Sequence, residues 1–145
     1  AEVEIDGIKG KYIIGFSDLK LLSSIEKEEP AKRMSFLSPL DNLLWDRNMV
    51  RDIFDFDYVW ETYTPISQRK FGHYVLPILY GLEFIGRIEP RYNKAKNILE
   101  IRGLWIEPSC RWRKDTSRAF WKYMEEFQEY LGSKNIVWLC KSPPR

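Results

Sequence analysis

An α+β domain is the fold class this sequence predicts, and three observations carry it. Aromatic residues make up 15% of the 145 residues, enough bulky side chains to pack a real core. Residues 73–107 hold three runs rich in β-branched and aromatic residues, "HYVLPILY", "LEFIGRIE" and "NILEIRGLWIE", which read as strands. Then comes "DTSRAFWKYMEEFQEYLG", where Phe120, Tyr123, Met124, Phe127, Tyr130 and Leu131 recur at three- and four-residue intervals while Lys122, Glu125, Glu126 and Glu129 take the other side. That spacing predicts one amphipathic helix facing the core.

The elements follow in chain order. "EVEIDGIKGKYIIG" predicts a hairpin around Asp6-Gly7, with Gly10 as further punctuation. "SDLKLLSSIEKEE" predicts a short polar helix capped by Ser17 or Asp18 and ended by Pro30, and "PAKRM" reads as a linker, with a boundary near residues 29–34. In "SFLSPLDNLLWDR" Ser38 suits an N-cap and Pro39 a first helical position, with Asp41 in the first turn. Asp46 caps a second helix through about Phe54, its inner face Met49, Val50, Ile53 and Phe54. The polar groups of this apolar stretch thus read as capping devices at a corner between two short helices.

"DYVWETYT" predicts a strand stopped by Pro65, and "ISQRKFG" a basic connection. Gly81 marks a junction and "PRYNKAKN" a cationic hairpin loop, while Pro77 removes a ladder donor and argues for an edge or a bulge. The later strands are apolar on both faces, as in a barrel or under a helix. Asp115 is placed to cap the long helix and Gly132 to stop it; "NIVWLC" supplies a last strand and "KSPPR" a surface tail.

Cys110 and Cys140 are the only cysteines and His73 the only histidine, too few for a four-ligand zinc site. No metal, cofactor or disulfide is expected. No phosphate loop, H-E-x-x-H, G-x-S-x-G or dinucleotide fingerprint is present. No apolar run approaches the roughly 18 to 20 residues that span a bilayer, so the chain reads as soluble, cytoplasmic and without a membrane partner. The net charge of +2 conceals an asymmetry: residues 1–65 carry 8 Lys and Arg against 13 Asp and Glu, residues 66–145 carry 15 against 8. The second part is a candidate polyanion-binding surface. Loop cations suit phosphates, and an aromatic among them, as Trp112 is in "CRWRKD", could stack on a base.

The run "FLSPLDNLLWDRNMVRDIFDFDYVWETYTPISQRKFGHYVLPILYG", residues 36–81, resembles the C-terminal part of the AlkZ/YcaQ family of bacterial DNA glycosylases, also described as winged-helix DNA-binding proteins. The S-P-x-D-N-L-x-W-D-R pattern is met by Ser38, Pro39, Asp41, Asn42, Leu43, Trp45, Asp46 and Arg47. F-x-Y-x-W-E-x-Y-x-P is met by Phe56, Tyr58, Trp60, Glu61, Tyr63 and Pro65, and "QRKFGHYVLPILYG" matches a third pattern, with His73 departing from the aromatic often seen there. The resemblance implies tandem winged-helix units followed by a small antiparallel β-barrel-like sheet covered by the C-terminal helix. Residues 1–29 would be the wing and helix of a truncated winged-helix unit, and residues 30–145 the barrel-like domain with capping helices. The missing recognition helix and initiating methionine suggest a C-terminal fragment of a longer polypeptide.

Family members activate water with a Gln-apolar-Gln or Gln-apolar-Asp motif as an alkylated or crosslinked purine departs. The only glutamines here, Gln68 and Gln128, fit neither form, so no catalytic residue is carried over. The expected role is a non-catalytic, scaffolding module that contacts double-stranded DNA through Arg69, Lys70, Arg111 and Arg113 and braces the missing N-terminal winged-helix domains. Ser38, Pro39, Asp41, Asn42, Trp45, Asp46 and Arg47 would form a structural signature at the junction. A protein-interaction module and a winged-helix regulator without chemistry are the alternatives.

Overall fold

The computed structural model describes residues 1–25 and 29–143. The chain forms two compact units, residues 1–31 and 32–145. In the first, β1 (Glu2–Val3) pairs antiparallel with β2 (Tyr12–Ile13), with Asp6-Gly7 in the connection and Gly7 at φ 78°. Helix α1 spans Phe16–Ile25. It starts before the expected caps, so Ser17 and Asp18 lie inside its first turn, where the Asp18 carboxylate still faces the positive end of the helix dipole. The expected continuation through residues 26–28 lies outside the described residues. No residue of α1 is buried, and Phe16, Leu21, Leu22 and Ile25 are exposed.

The second unit has the predicted α+β class. β3 (Met34–Phe36), β4 (Leu76–Tyr80), β5 (Glu83–Asn93), β6 (Ile98–Ile106) and β7 (Asn135–Trp138) form one sheet in chain order, open, with β3 and β7 at its edges. β7 departs from the antiparallel expectation: helix α3 (Lys114–Leu131) carries the chain back along the sheet, so β7 pairs parallel with β6. Between β3 and β4 lies α2 (Arg47–Phe54).

Apolar strands on both faces are explained by two cores. Met34, Leu76, Ile78, Ile85, Ile88, Leu99 and Ile101 pack with Phe120 and Met124 of α3. On α3, Tyr123 and Phe127 join Phe120 around the Phe36 ring, at centroid distances of 4.8, 5.6 and 5.9 Å. Tyr130 leaves this face and is exposed. Phe84 instead joins Leu44, Val50, Phe56 and Tyr58 in the second core. Val50 is buried there, whereas Ile53 of the expected inner face is exposed.

At the corner the helix does not begin at Ser38. Ser38 and Asp41 close a turn, with Asp41 N–H on Ser38 O at 2.9 Å and Leu40 N–H on Ser38 Oγ at 3.3 Å, and Pro39 sets the bend. Asp41 is itself the cap, accepting Leu43 N–H at 3.0 Å at the start of a 3-10 turn over Asn42–Leu44. Asp46 caps α2 as predicted, accepting Asn48 and Met49 N–H groups, both at 3.0 Å. Asp46→Ala is expected to lower unfolding stability by about 1 kcal/mol, read from urea denaturation.

Three other boundaries moved. At "DYVWETYT" Tyr58, like Phe56 just before it, points inward as in a strand, but no strand of the described residues pairs with the stretch, and Glu61–Tyr63 tightens into a 3-10 turn. Half of "PRYNKAKN" is strand: Pro90–Asn93 pair with Ile98–Ile101 after a bulge at Glu89/Pro90 that absorbs proline's missing donor, leaving Lys94–Asn97 as the turn. A second bulge follows Pro77, at Ile78/Leu79. Asp115 lies within α3, whose N-cap is Arg113 in an extended conformation; the carboxylate is drawn to the Tyr80 hydroxyl. Gly132 stops α3 at φ 65°, where it donates back to the Gln128 and Glu129 carbonyls.

Candidate nucleic-acid interface

The chain from Phe56 to Val75 is fixed by side chains that bond to backbone. Tyr58 donates to Val75 O at 2.8 Å, and burial raises the hydroxyl's pKa, which keeps it a donor. The Glu61 carboxylate accepts the N–H groups of Lys70, Phe71 and Gly72 at 2.7, 2.8 and 3.1 Å. Burial works against its ionisation, but these three donors and Arg69 outweigh it and hold the carboxyl below the usual range. His73 N–H donates to Glu89 at 2.8 Å, and a side chain at position 72 would meet that carboxylate, which would have to shift.

Arg69 and Lys70 share this loop and do different things. Arg69 turns inward, Nε on Thr64 O at 2.9 Å and Nη2 on Thr62 O at 3.5 Å. Lys70 is exposed, its Nζ 5.1 Å from the centroid of the Phe71 ring.

Behind the loop sits Arg87, only 6% exposed. Its guanidinium carbon lies 4.2 Å from the Phe56 ring centroid and 4.5 Å from that of Phe71, and it donates to Glu107 and to the Asp57 carbonyl. Burial lowers its pKa while Glu107 and Asp57 oppose the shift, and a guanidinium starts high enough to stay charged. Phe71 in turn meets Trp105 edge-on at 5.3 Å. Arg87 thus ties the Lys70 loop to the end of β6, which leads into Arg111.

Arg111 and Arg113 are exposed just before and at the start of α3, with Lys114 and Arg118 on its first turns. None of these four side chains makes a hydrogen bond or ion pair among the described residues. Trp112 between them packs edge-on against Phe120 at 5.4 Å, which withdraws its ring from base stacking. At the other end of α3, Lys94 and Lys96 of the β5–β6 turn lie near Lys134, whose N–H donates to Asn97 O at 3.0 Å. An 18-residue helix puts about 27 Å between its ends.

Among the described residues no hydrogen bond or ion pair joins Arg69 or Lys70 to Arg111 or Arg113. Arg118 follows Lys114 by four residues, so helical spacing puts the two cations on one helix surface; Arg87, hidden in a strand, had no such signal. Of the structural signature, Ser38, Asp41 and Asp46 bond to backbone, while Asn42, Trp45 and Arg47 are exposed.

Other chemistry finds little support. Burial raises the pKa of both thiols, Cys110 and Cys140, which disfavours thiolate nucleophiles. No three His, Cys, Asp or Glu side chains among the described residues are grouped to hold a metal ion. Nor is any described helix long and apolar enough to cross a membrane.

A family model described as DNA glycosylase AlkZ-like matches residues 1–130. The chain belongs to the AlkZ-like DNA glycosylase family. Membership makes this AlkZ-like chain a member of a DNA-repair family, for which DNA is the implied substrate. The match spans both units and most of α3, and β7 lies beyond it. No solved structure matches the AlkZ-like chain.

Proposed function

We propose that this chain is a non-catalytic, DNA-binding and scaffolding module of a base-excision glycosylase acting on alkylated or crosslinked purines. The observation that supports this most is the exposed group Arg111, Arg113, Lys114 and Arg118, four cationic side chains without a partner among the described residues, on one loop and helix start. Unpaired cations on a fixed backbone suit the phosphates of double-stranded DNA, a sequence-independent contact. Lys70, on the loop clamped by Glu61, extends the same chemistry, whereas Arg69 acts by fixing that loop.

The contribution to rate would be positioning of the duplex, with the reacting groups supplied elsewhere. Neither glutamine is given a catalytic role in this reading: the Gln128 amide donates to Ser133 O at 3.0 Å at the end of α3, and Gln68 ends a 3-10 turn.

Fluorescence anisotropy of a labelled duplex at several salt concentrations tests the proposal. Affinity should fall steeply with salt, and the Arg111→Ala, Arg113→Ala double variant should flatten the log–log slope by about 2, near 0.9 per lost phosphate contact. A slope that the double variant leaves unchanged would remove these residues from the interface.

One observation favours an added bracing role. α1 carries Phe16, Leu21, Leu22 and Ile25 exposed, and a ten-residue helix is marginal in water without a packed face. As the wing and helix of a winged-helix unit, residues 1–29 would rest these side chains on N-terminal winged-helix domains of the same polypeptide.

A further inference from the structure

We propose that Trp45 and Arg47 form a stacking site for an unpaired DNA base, an inference that rests on the DNA-binding reading above. Trp45 supplies the π-face and Arg47 the contact to the adjoining phosphate.

Trp45 is 74% exposed, a large cost in apolar surface for a residue with no packing role. It is also rigidly mounted. Asp41 caps the turn before it, its own N–H donates to Asn42 O at 3.3 Å, and Asp46 caps the helix after it. An aromatic held out on a corner fixed from both sides loses little freedom when a base stacks on it.

Beside the indole is a cleft of about 280 Å³ lined by Pro39, Leu44, Tyr58 and Trp60 as well as Trp45 and Arg47. That is close to the smallest cavities that take up small ligands. Trp60 also lines the cleft, and its buried indole N–H has no hydrogen-bond partner among the described residues.

Charge selects the occupant. The Asp41 and Asp46 carboxylates are already engaged by backbone N–H groups, whereas the Arg47 side chain has neither an ion pair nor a hydrogen bond among the described residues. An unpaired guanidinium next to an open indole and a narrow cleft fits a chain that alternates phosphates with flat bases. A paired duplex hides those flat faces, so the ligand class is single-stranded or locally unpaired DNA.

The test is anisotropy at low salt with a fluorescein-labelled oligothymidylate of about 12 nucleotides, within the usual single-strand site size, and a blunt duplex of equal length. Trp45→Ala should weaken oligothymidylate binding roughly 5- to 100-fold, the range that loss of one stacked base gives, and leave duplex affinity within about twofold. Trp45→Phe should restore most of the loss, and melting temperatures should stay unchanged because the side chain is exposed. Trp45→Ala binding oligothymidylate like the parent overturns the proposal, as does an equal loss on both ligands. If the parent chain binds duplex but not oligothymidylate, the stacking site is wrong and the phosphate clamp stands. Binding to neither would overturn the DNA-binding reading itself.

Discussion

Arg87→Ala is expected to lower unfolding stability by about 3 to 5 kcal/mol, the range for removing one partner of a buried ion pair. Three losses converge. Glu107 keeps a largely buried carboxylate without its cation, the Asp57 carbonyl loses its donor, and a gap opens between the Phe56 and Phe71 rings. Arg87→Lys keeps the charge but not the planar fork between two rings, so an intermediate loss is expected. The double variant Arg87→Met, Glu107→Leu should recover much of the stability, because no buried charge is then left unpaired. Urea denaturation of the three variants decides it. A loss below about 1 kcal/mol for Arg87→Ala would mean that the pair is no more than an exposed one.

The function of Arg87 follows from where its contacts lead. One ring it touches belongs to Phe71, next to Lys70, and the carboxylate it holds belongs to Glu107, four residues before Arg111. A single buried cation therefore fixes the backbone under two groups of exposed cations.

How much of this was legible in the sequence depended on whether the signal was local. The long helix, its Gly132 stop and the Asp46 cap were readable because each is set by side chains within one turn of the feature. The displaced boundaries at Ser38 and Asp115 have different causes: Asp41, three residues later, took the cap expected of Ser38, whereas no side chain caps α3 and the Asp115 carboxylate is engaged by the distant Tyr80 hydroxyl. "DYVWETYT" misled because its inward alternation is real while its neighbour is a set of side chains instead of a strand. Arg87 was invisible because its partners Asp57, Phe71 and Glu107 lie 16 to 30 residues away. For the interface, residue type pointed to Arg69 and Arg113 equally; only the fold separates an arginine that holds a loop from one left exposed.

Glu61 offers the second large effect and a pH signature of its own. Glu61→Ala strips three backbone N–H groups of their acceptor, and hydrogen bonds to a charged group contribute about 1.5 to 3 kcal/mol each in favourable settings. Because the site is partly open to water, which can replace the lost acceptor, a total near 2 kcal/mol is expected. Glu61→Gln keeps one acceptor oxygen and should lose about half. The carboxyl is held below its ordinary value in the folded chain, so the unfolded chain binds this proton more readily. The contribution is therefore complete above the unfolded value near 4.3 and disappears as pH falls through the lower folded one. Urea midpoints for the parent and Glu61→Gln should differ at neutral pH and converge in acid below about pH 4. The difference between the two proteins isolates this group from Glu100, whose carboxyl is also held low, by Asn93, but is common to both. A gap that stays constant into acid would show that the ionised carboxylate is not what closes the loop, and the fixed presentation of Lys70 would lose its physical basis.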